Sequence, residues 1–179
     1  LISLDAAYTA SPRLADYSFQ DSGNVITFQI RDGAVFSDGS PVTAADCDYS
    51  FRQAAEKDSI FASLFSTYIS KWRQVSDSVF EVTLASSNPY HINLFTIPIV
   101  KKGSSREWIG SGRYRFAADE AGNRCLEHYE NPLYAETFGI ETIRLSELEN
   151  ANGIYYNFNY GVLHAAYADL SEGISHYKG

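Results

Sequence analysis

The sequence predicts a mixed α/β (α+β) fold, and three observations within one stretch carry the prediction. Residues 25–51 read VITFQIRDGAVFSDGSPVTAADCDYSF. First, Val25–Arg31 is rich in β-branched residues and alternates apolar side chains at Ile26, Phe28 and Ile30, the pattern of a half-buried strand. Second, Asp32-Gly33 and Ser37-Asp38-Gly39 supply tight turns on either side of Ala34–Phe36, which predicts a hairpin and a second short strand. Third, Thr43-Ala44-Ala45-Asp46 opens a helix, with Thr43 as N-cap and Asp46 spaced to complete a capping box. The expected order is strand, hairpin, strand, capped helix.

The remaining elements follow along the chain. Residues 1–24 form an irregular lead-in with one extended piece at Leu14–Gln20. The helix over 44–56 places Cys47, Phe51, Ala54 and Ala55 on one face, at spacings of three and four. Ile60–Tyr68 holds a second apolar cluster and a short helix. After a turn at Asp77-Ser78, Val79–Leu84 alternates cleanly, with Phe80, Val82 and Leu84 on one face. Asn88-Pro89 precedes a short helix over Tyr90–Phe95, and Ile97–Val100 is an apolar, strand-like end. Lys101–Glu107 is a polar break. Tyr114–Ala117 and Cys125–Tyr129 make a hairpin through Asp119–Asn123, where Gly122 accommodates positive φ. Ile140–Leu145 is a further strand. Asn150–Tyr160 is poor in strong helix formers, but Ile154 and Phe158 keep helical spacing, and a helix is expected there.

Composition narrows the function classes. The chain has 179 residues, 45% apolar and 15% aromatic, which suffices for a real core. Its net charge of −8, with no basic stripe, argues against nucleic acid and against an anionic membrane surface. No apolar run approaches the roughly 20 residues of a membrane-spanning helix. No signal peptide is seen, the chain starts at Leu1 and it contains no Met, so it reads as an excised piece of a longer protein. Cys47 and Cys125 are expected to be two separate buried thiols, and no Cys/His spacing suggests a metal.

Catalysis finds no support. There is no GxSxG elbow, and Gly110-Ser111-Gly112 is a turn. The carboxylate pairs Asp46/Asp48 and Glu147/Glu149 stand at spacing two, do not share a helix face and are expected to be solvated. His91, His128, His164 and His176 are scattered without ligand spacing, and no phosphate loop occurs. No cofactor is implied, and neither a catalytic nor a metal-binding set is assigned.

The wording of residues 25–51 closely resembles the signature "tF.LR.G..F.DG.PvTA.Dv.ySf.r" of the family 5 extracytoplasmic solute-binding proteins, the peptide- and nickel-binding subunits of ABC importers. The stretch SDSVFEVTLASSNPYHINLF is similar to the family's "d..v.ev.L..p.py...L", and Gly110–Phe116 is similar to "GTGPYkl", with Ser111 for Thr and Arg113 for Pro. Asn131-Pro132-Leu133-Tyr134 resembles the "N..Y" that ends the family's hairpin. Gly161-Val162-Leu163-His164 resembles "GeiD", with His164 for Asp.

The resemblance implies a lobe of a two-lobed, periplasmic-binding-protein-like fold that closes around a solute. Residues 1–107 would form a β-rich subdomain of lobe I and 108–179 part of the lobe core, with the second lobe absent from this chain. It implies an extracytoplasmic protein, in the periplasm or held as a cell-surface lipoprotein. Its partners would be a peptide or other small solute and ABC permease subunits, with membrane contact only through an anchor outside these residues. Tyr167, Ala168 and Asp169 would line the cleft by offering backbone to an extended peptide, or Tyr167 would be a core or rim aromatic. Phe61 would lean over the cleft, or pack in the core. The same fold also occurs as the ligand-sensing domain of cytoplasmic transcriptional regulators, and that reading stays open.

Overall fold

The computed structural model describes residues 1–104, 109–134, 139–146 and 151–165. The chain divides into two compact units, Leu1–Ile143 and Arg144–Gly179. The first unit opens with a short antiparallel pair, β1 (Ile2–Leu4) and β2 (Ala10–Pro12), a hairpin that the lead-in did not suggest. Its loop is closed by the Asp5 carboxylate, which accepts from the Ala7 and Thr9 N–H groups at 2.8 Å each.

A four-stranded antiparallel sheet follows. β3 (Ala15–Gln20) pairs with β4 (Val25–Ile30), and the order is completed by β5 (Ile69–Gln74) and β6 (Val79–Leu84) as β3-β4-β6-β5. The alternation read from the sequence sets the buried face. Ile26, Phe28 and Ile30 on β4 and Phe80, Val82 and Leu84 on β6 are all buried, and the register sets Phe28 opposite Phe80. β5 was not foreseen. Its alternation is interrupted by an irregularity between Ile69 and Lys71, and its exposed Lys71, Arg73 and Gln74 suit an edge strand.

Helix α1 (Ala44–Ala55) packs against this face, with α2 (Ala62–Tyr68) beside it. Phe51 is the hub of the core. Its ring lies 4.8 Å from Phe80, 5.2 Å from Phe65, 5.8 Å from Trp72 and 6.0 Å from Phe95, and Phe95 in turn lies 4.9 Å from Phe28. Of the face expected from spacing, Cys47, Phe51 and Ala54 are buried. Ala55 is exposed, because the helix turns it past the edge of the contact, and Ala44 and Ser50 complete the inward face instead. Residues Pro89–Thr96 form a 3-10 helix that carries buried Ile92 and Phe95 onto the core, with Asn88 capping it by accepting from the Tyr90 N–H at 2.9 Å.

Between β4 and α1 the two expected turns are present. Gly33 and Gly39 hold φ of 80° and 81°, a region in which other residues are strained. The second strand expected at Ala34–Phe36 reduces to a single bridge, Val35 to Pro41. The Phe36 N–H donates to the Ser40 carbonyl at 2.8 Å and the Val42 N–H to the Ala34 carbonyl at 2.9 Å, so Pro41 occupies a position whose N–H the pairing does not use.

The cap concentrates three hydrogen bonds on one carboxylate. One Asp46 carboxylate oxygen accepts from the Thr43 N–H at 2.8 Å and from the Thr43 hydroxyl at 2.7 Å, and the other accepts from the Lys102 N–H at 2.8 Å. One turn further on, the Ser50 hydroxyl donates to the Val100 carbonyl at 3.3 Å and accepts from the Val100 N–H at 2.9 Å. Helix α1 therefore holds segment 100–102 along a polar seam beside its apolar face. Asp46 is buried, a correction to the solvated carboxylate expected for it.

A three-stranded sheet holds β7 (Tyr114–Ala118), β8 (Arg124–His128) and β9 (Thr142–Arg144), in that order. The β7–β8 turn uses Gly122 at φ 82°, as expected, with the Asp119 carboxylate accepting from the Ala121 and Asn123 N–H groups at 3.0 and 2.8 Å. In the second unit the expected helix is α3 (Ala151–Asn159). Cys47 and Cys125 are buried thiols not bonded to each other.

Three outcomes follow from this architecture. Thr43→Ala should cost about 1 kcal/mol in denaturant unfolding through the weakened cap. Asp46→Ala leaves two N–H donors and a hydroxyl without their acceptor and should cost roughly 3 kcal/mol; equal losses for the two variants would contradict the seam. Burial pushes the Cys47 thiol up to about 12, so it should resist a thiol reagent in native buffer, whereas denaturation without reductant should expose both thiols. A count of zero in denaturant would reveal a disulfide.

Candidate functional site

Phe61, the first candidate, sits at the N-cap of α2, half-buried and packed against the core. Its N–H donates to the Ser59 hydroxyl at 3.1 Å, and its carbonyl accepts from the Phe65 N–H at 3.0 Å. Next to it Ile60 is 85% exposed, so the start of α2 offers an apolar step at the surface whose inner half is core. Tyr167, Ala168 and Asp169 lie outside the described residues.

The signature residues are occupied with structure. Phe28, Phe36 and Phe51 are core. Thr43, Asp46 and Ser50 form the polar seam. Asp38 receives the Lys101 ammonium and the Ser40 hydroxyl and N–H, and these bonds hold its carboxyl at about 2, below the ordinary 3.8. The Ser37 N–H donates to the Gly110 carbonyl at 2.9 Å, so the 37–40 turn grips residues on both sides of the polar break.

Other chemistry-bearing groups are dispersed. Asp48 accepts from the Arg52 Nε at 2.8 Å and from the Trp72 Nε1 at 3.0 Å, which lower its pKa. His91 faces Tyr68, with ring centroids 4.9 Å apart. Among the described residues no group of three or more His, Cys, Asp or Glu is placed to hold a metal, and no helix is long and apolar enough to cross a membrane.

One constellation was not foreseen. Asn131 is buried, and its Nδ2 donates to the Ser111 carbonyl at 3.0 Å, the Gly112 carbonyl at 3.3 Å and the Tyr129 hydroxyl at 3.0 Å. Its Oδ1 accepts from the Leu133 N–H at 3.0 Å. This knot fixes the Gly110–Arg113 turn against the Asn131–Tyr134 turn. On it, the Arg113 guanidinium carbon lies 4.9 Å from the centre of the Tyr134 ring, and the Arg13 guanidinium carbon lies 5.8 Å from the same centre. The signal available in the sequence was Arg113 itself, standing where the family signature has Pro.

The comparisons agree on one relationship. Residues 9–174 match the family model described as bacterial extracellular solute-binding proteins, family 5 middle. The periplasmic oligopeptide-binding protein OppA of Salmonella typhimurium is 29% identical over 120 residues, covering 56% of this chain and 22% of that protein. Among solved structures, AppA of Bacillus subtilis in complex with a nonapeptide has a TM-score of 0.69 at 20% identity, over 91% of this chain and 36% of the other. MoaA of A. tumefaciens R10 in complex with mannopinic acid has a TM-score of 0.71 at 22% identity, over 91% and 37%. NikZ of Campylobacter jejuni in complex with Ni(L-His) has a TM-score of 0.71 at 18% identity, over 91% and 36%. These structural likenesses establish the fold. The chain spans about a fifth of the curated relative and a little over a third of the solved structures. The matched family and relatives are solute-binding proteins, not enzymes. With nearly its whole length matched by the family model, the chain belongs to the bacterial extracellular solute-binding proteins, family 5.

Proposed function

We propose that this chain is part of lobe I of the solute-binding component of an ABC importer, capturing oligopeptides outside the membrane and delivering them to a permease. The observation that carries the reading is the family match over residues 9–174, and the oligopeptide-binding relative supports peptide as the solute. Residues 1–107 serve as the β-rich subdomain and 108–179 as part of the lobe core. The second lobe, and a lipid anchor, belong to sequence outside this chain. Tyr167, Ala168 and Asp169 line the cleft and offer backbone to an extended peptide, and Phe61 contributes an aromatic edge. A clamp of this kind gains affinity by enclosing its ligand, so one lobe leaves the peptide half solvated.

Calorimetry with tri- to penta-alanine tests this. The 179-residue chain should bind in the millimolar range, near −4 kcal/mol, and the full-length gene product much more tightly. In the latter, Tyr167→Ala should weaken binding while leaving the melting temperature of the empty protein unchanged. Sub-micromolar binding by the chain alone would place the whole site within these residues. An equal loss of stability without ligand would make Tyr167 a core residue.

A further inference from the structure

We infer that Tyr156, Phe158, Tyr160 and Val162, on α3 and its C-terminal cap, form a docking face. In the full-length gene product it is covered by elements of lobe I encoded outside these 179 residues. This deepens the solute-binding reading and rests on its placing the chain within lobe I.

The sequence of α3 does not account for its own helicity. The helix has nine residues, and isolated helices shorter than about 12 residues are marginal in water even with strong helix formers. Its Asn and Gly content lowers the propensity further. Packing must supply the rest. Ile154 and Asn157 are half-buried, yet Tyr156, Phe158, Tyr160 and Val162 are 60, 52, 69 and 65% exposed.

The exposed groups stand on opposite sides of the helix. Tyr156 and Tyr160, one turn apart, share a face with ring centroids 4.4 Å from each other. Phe158 stands about 200° round the axis from Tyr156. Val162 is fixed at the tip by the cap: Gly161 holds φ of 68°, its N–H donates to the Phe158 carbonyl at 3.1 Å, and the Val162 N–H donates to the Asn157 carbonyl at 2.9 Å. Residues 150–168 contain no Asp, Glu, Lys or Arg. A helix that is apolar on opposite sides is normally a buried one, and clustered exposed apolar groups mark a place where another surface docks.

Three features select the occupant. Without charge, the face gives a charged partner nothing to pair with. One flat partner cannot cover both sides of a helix, whereas elements packed within one lobe can. The unit Arg144–Gly179 is also smaller than the roughly 40 residues below which a chain needs a disulfide, a metal or a partner to hold a core. Both cysteines lie in the first unit, and no metal-holding group occurs among the described residues. The solved relatives carry ample further chain, since these residues span 36 and 37% of AppA and MoaA.

Hydroxyl-radical footprinting, read by mass spectrometry without solute, compares the 179-residue chain with the full-length product. Tyr156, Phe158 and Tyr160 should oxidise several-fold more slowly in the full-length protein. Equal oxidation in the two would overturn the inference, as would protection that is lost on dilution together with a dimer in sedimentation, which would make the occupant a second copy. This comparison needs no variant. As a second measurement, Phe158→Asp should lower the melting temperature of the empty full-length protein by several degrees and leave that of the 179-residue chain unchanged. Weaker tri-alanine binding with an unchanged melting temperature would instead place Phe158 at the solute and overturn the inference. Protection in a full-length protein that binds no peptide would overturn the solute reading and keep the docking face. Peptide binding without protection would overturn this inference alone.

Discussion

A single buried carboxylate sets the geometry of the first unit. Asp46 must be satisfied where it lies, because an ionised group out of water without partners is severely destabilising. Its acceptors are taken by the Thr43 N–H, the Thr43 hydroxyl and the Lys102 N–H. The first two start α1 at a fixed residue, where the helix's own N-terminal N–H groups favour negative charge. The third brings in a segment more than fifty residues away. Ser50, one turn later on the same helix, repeats the grip at Val100. With the start of the helix and this seam both fixed, its apolar stripe has one orientation, and Phe51 is delivered to the centre of the aromatic core.

The residues of the 25–51 stretch build a corner in which a strand, two tight turns and a capped helix must agree, and in which each residue type has a physical reason. Gly33 and Gly39 provide positive φ. Phe36 and Val42 fill core on either side of the 37–40 turn, while Pro41 makes the lone bridge to Val35. Asp38 faces Lys101, and because that pair is partly exposed it adds little to stability and mainly fixes the turn.

Legibility in the sequence tracks the strength of these local constraints. The corner over 25–51 was readable because alternation, turn chemistry and capping all act within a few residues. β1 and β2 were not readable, since three-residue strands carry no period, and their pairing is fixed by Asp5 across a loop. β5 was hidden by charged side chains and a register irregularity, and it is a strand because β6 offers it a partner. The burial of Asp46 was missed for a related reason. Its third hydrogen bond comes from Lys102, and nothing in the spacing of a helix announces a donor from a distant loop. Of the candidate site, Phe61 was legible as an aromatic at the start of α2, whereas the Asn131 knot joins residues about twenty positions apart and has no local signature.

The same division separates the frame from the side chains it carries. Residues that fix the fold are tied by buried hydrogen bonds and packed rings, so a change there is felt as lost stability. Residues that vary without disturbing the fold must sit where the frame is already complete, and Arg113 meets that condition. Its turn is held by the Asn131 side chain bonding to the Ser111 and Gly112 carbonyls, contacts that involve backbone only and ignore the side chain at position 113. Replacing the family's proline with arginine there adds a charge and a planar donor fork without altering the knot beneath. The bonds that hold the turn and the side chain it presents are therefore separate.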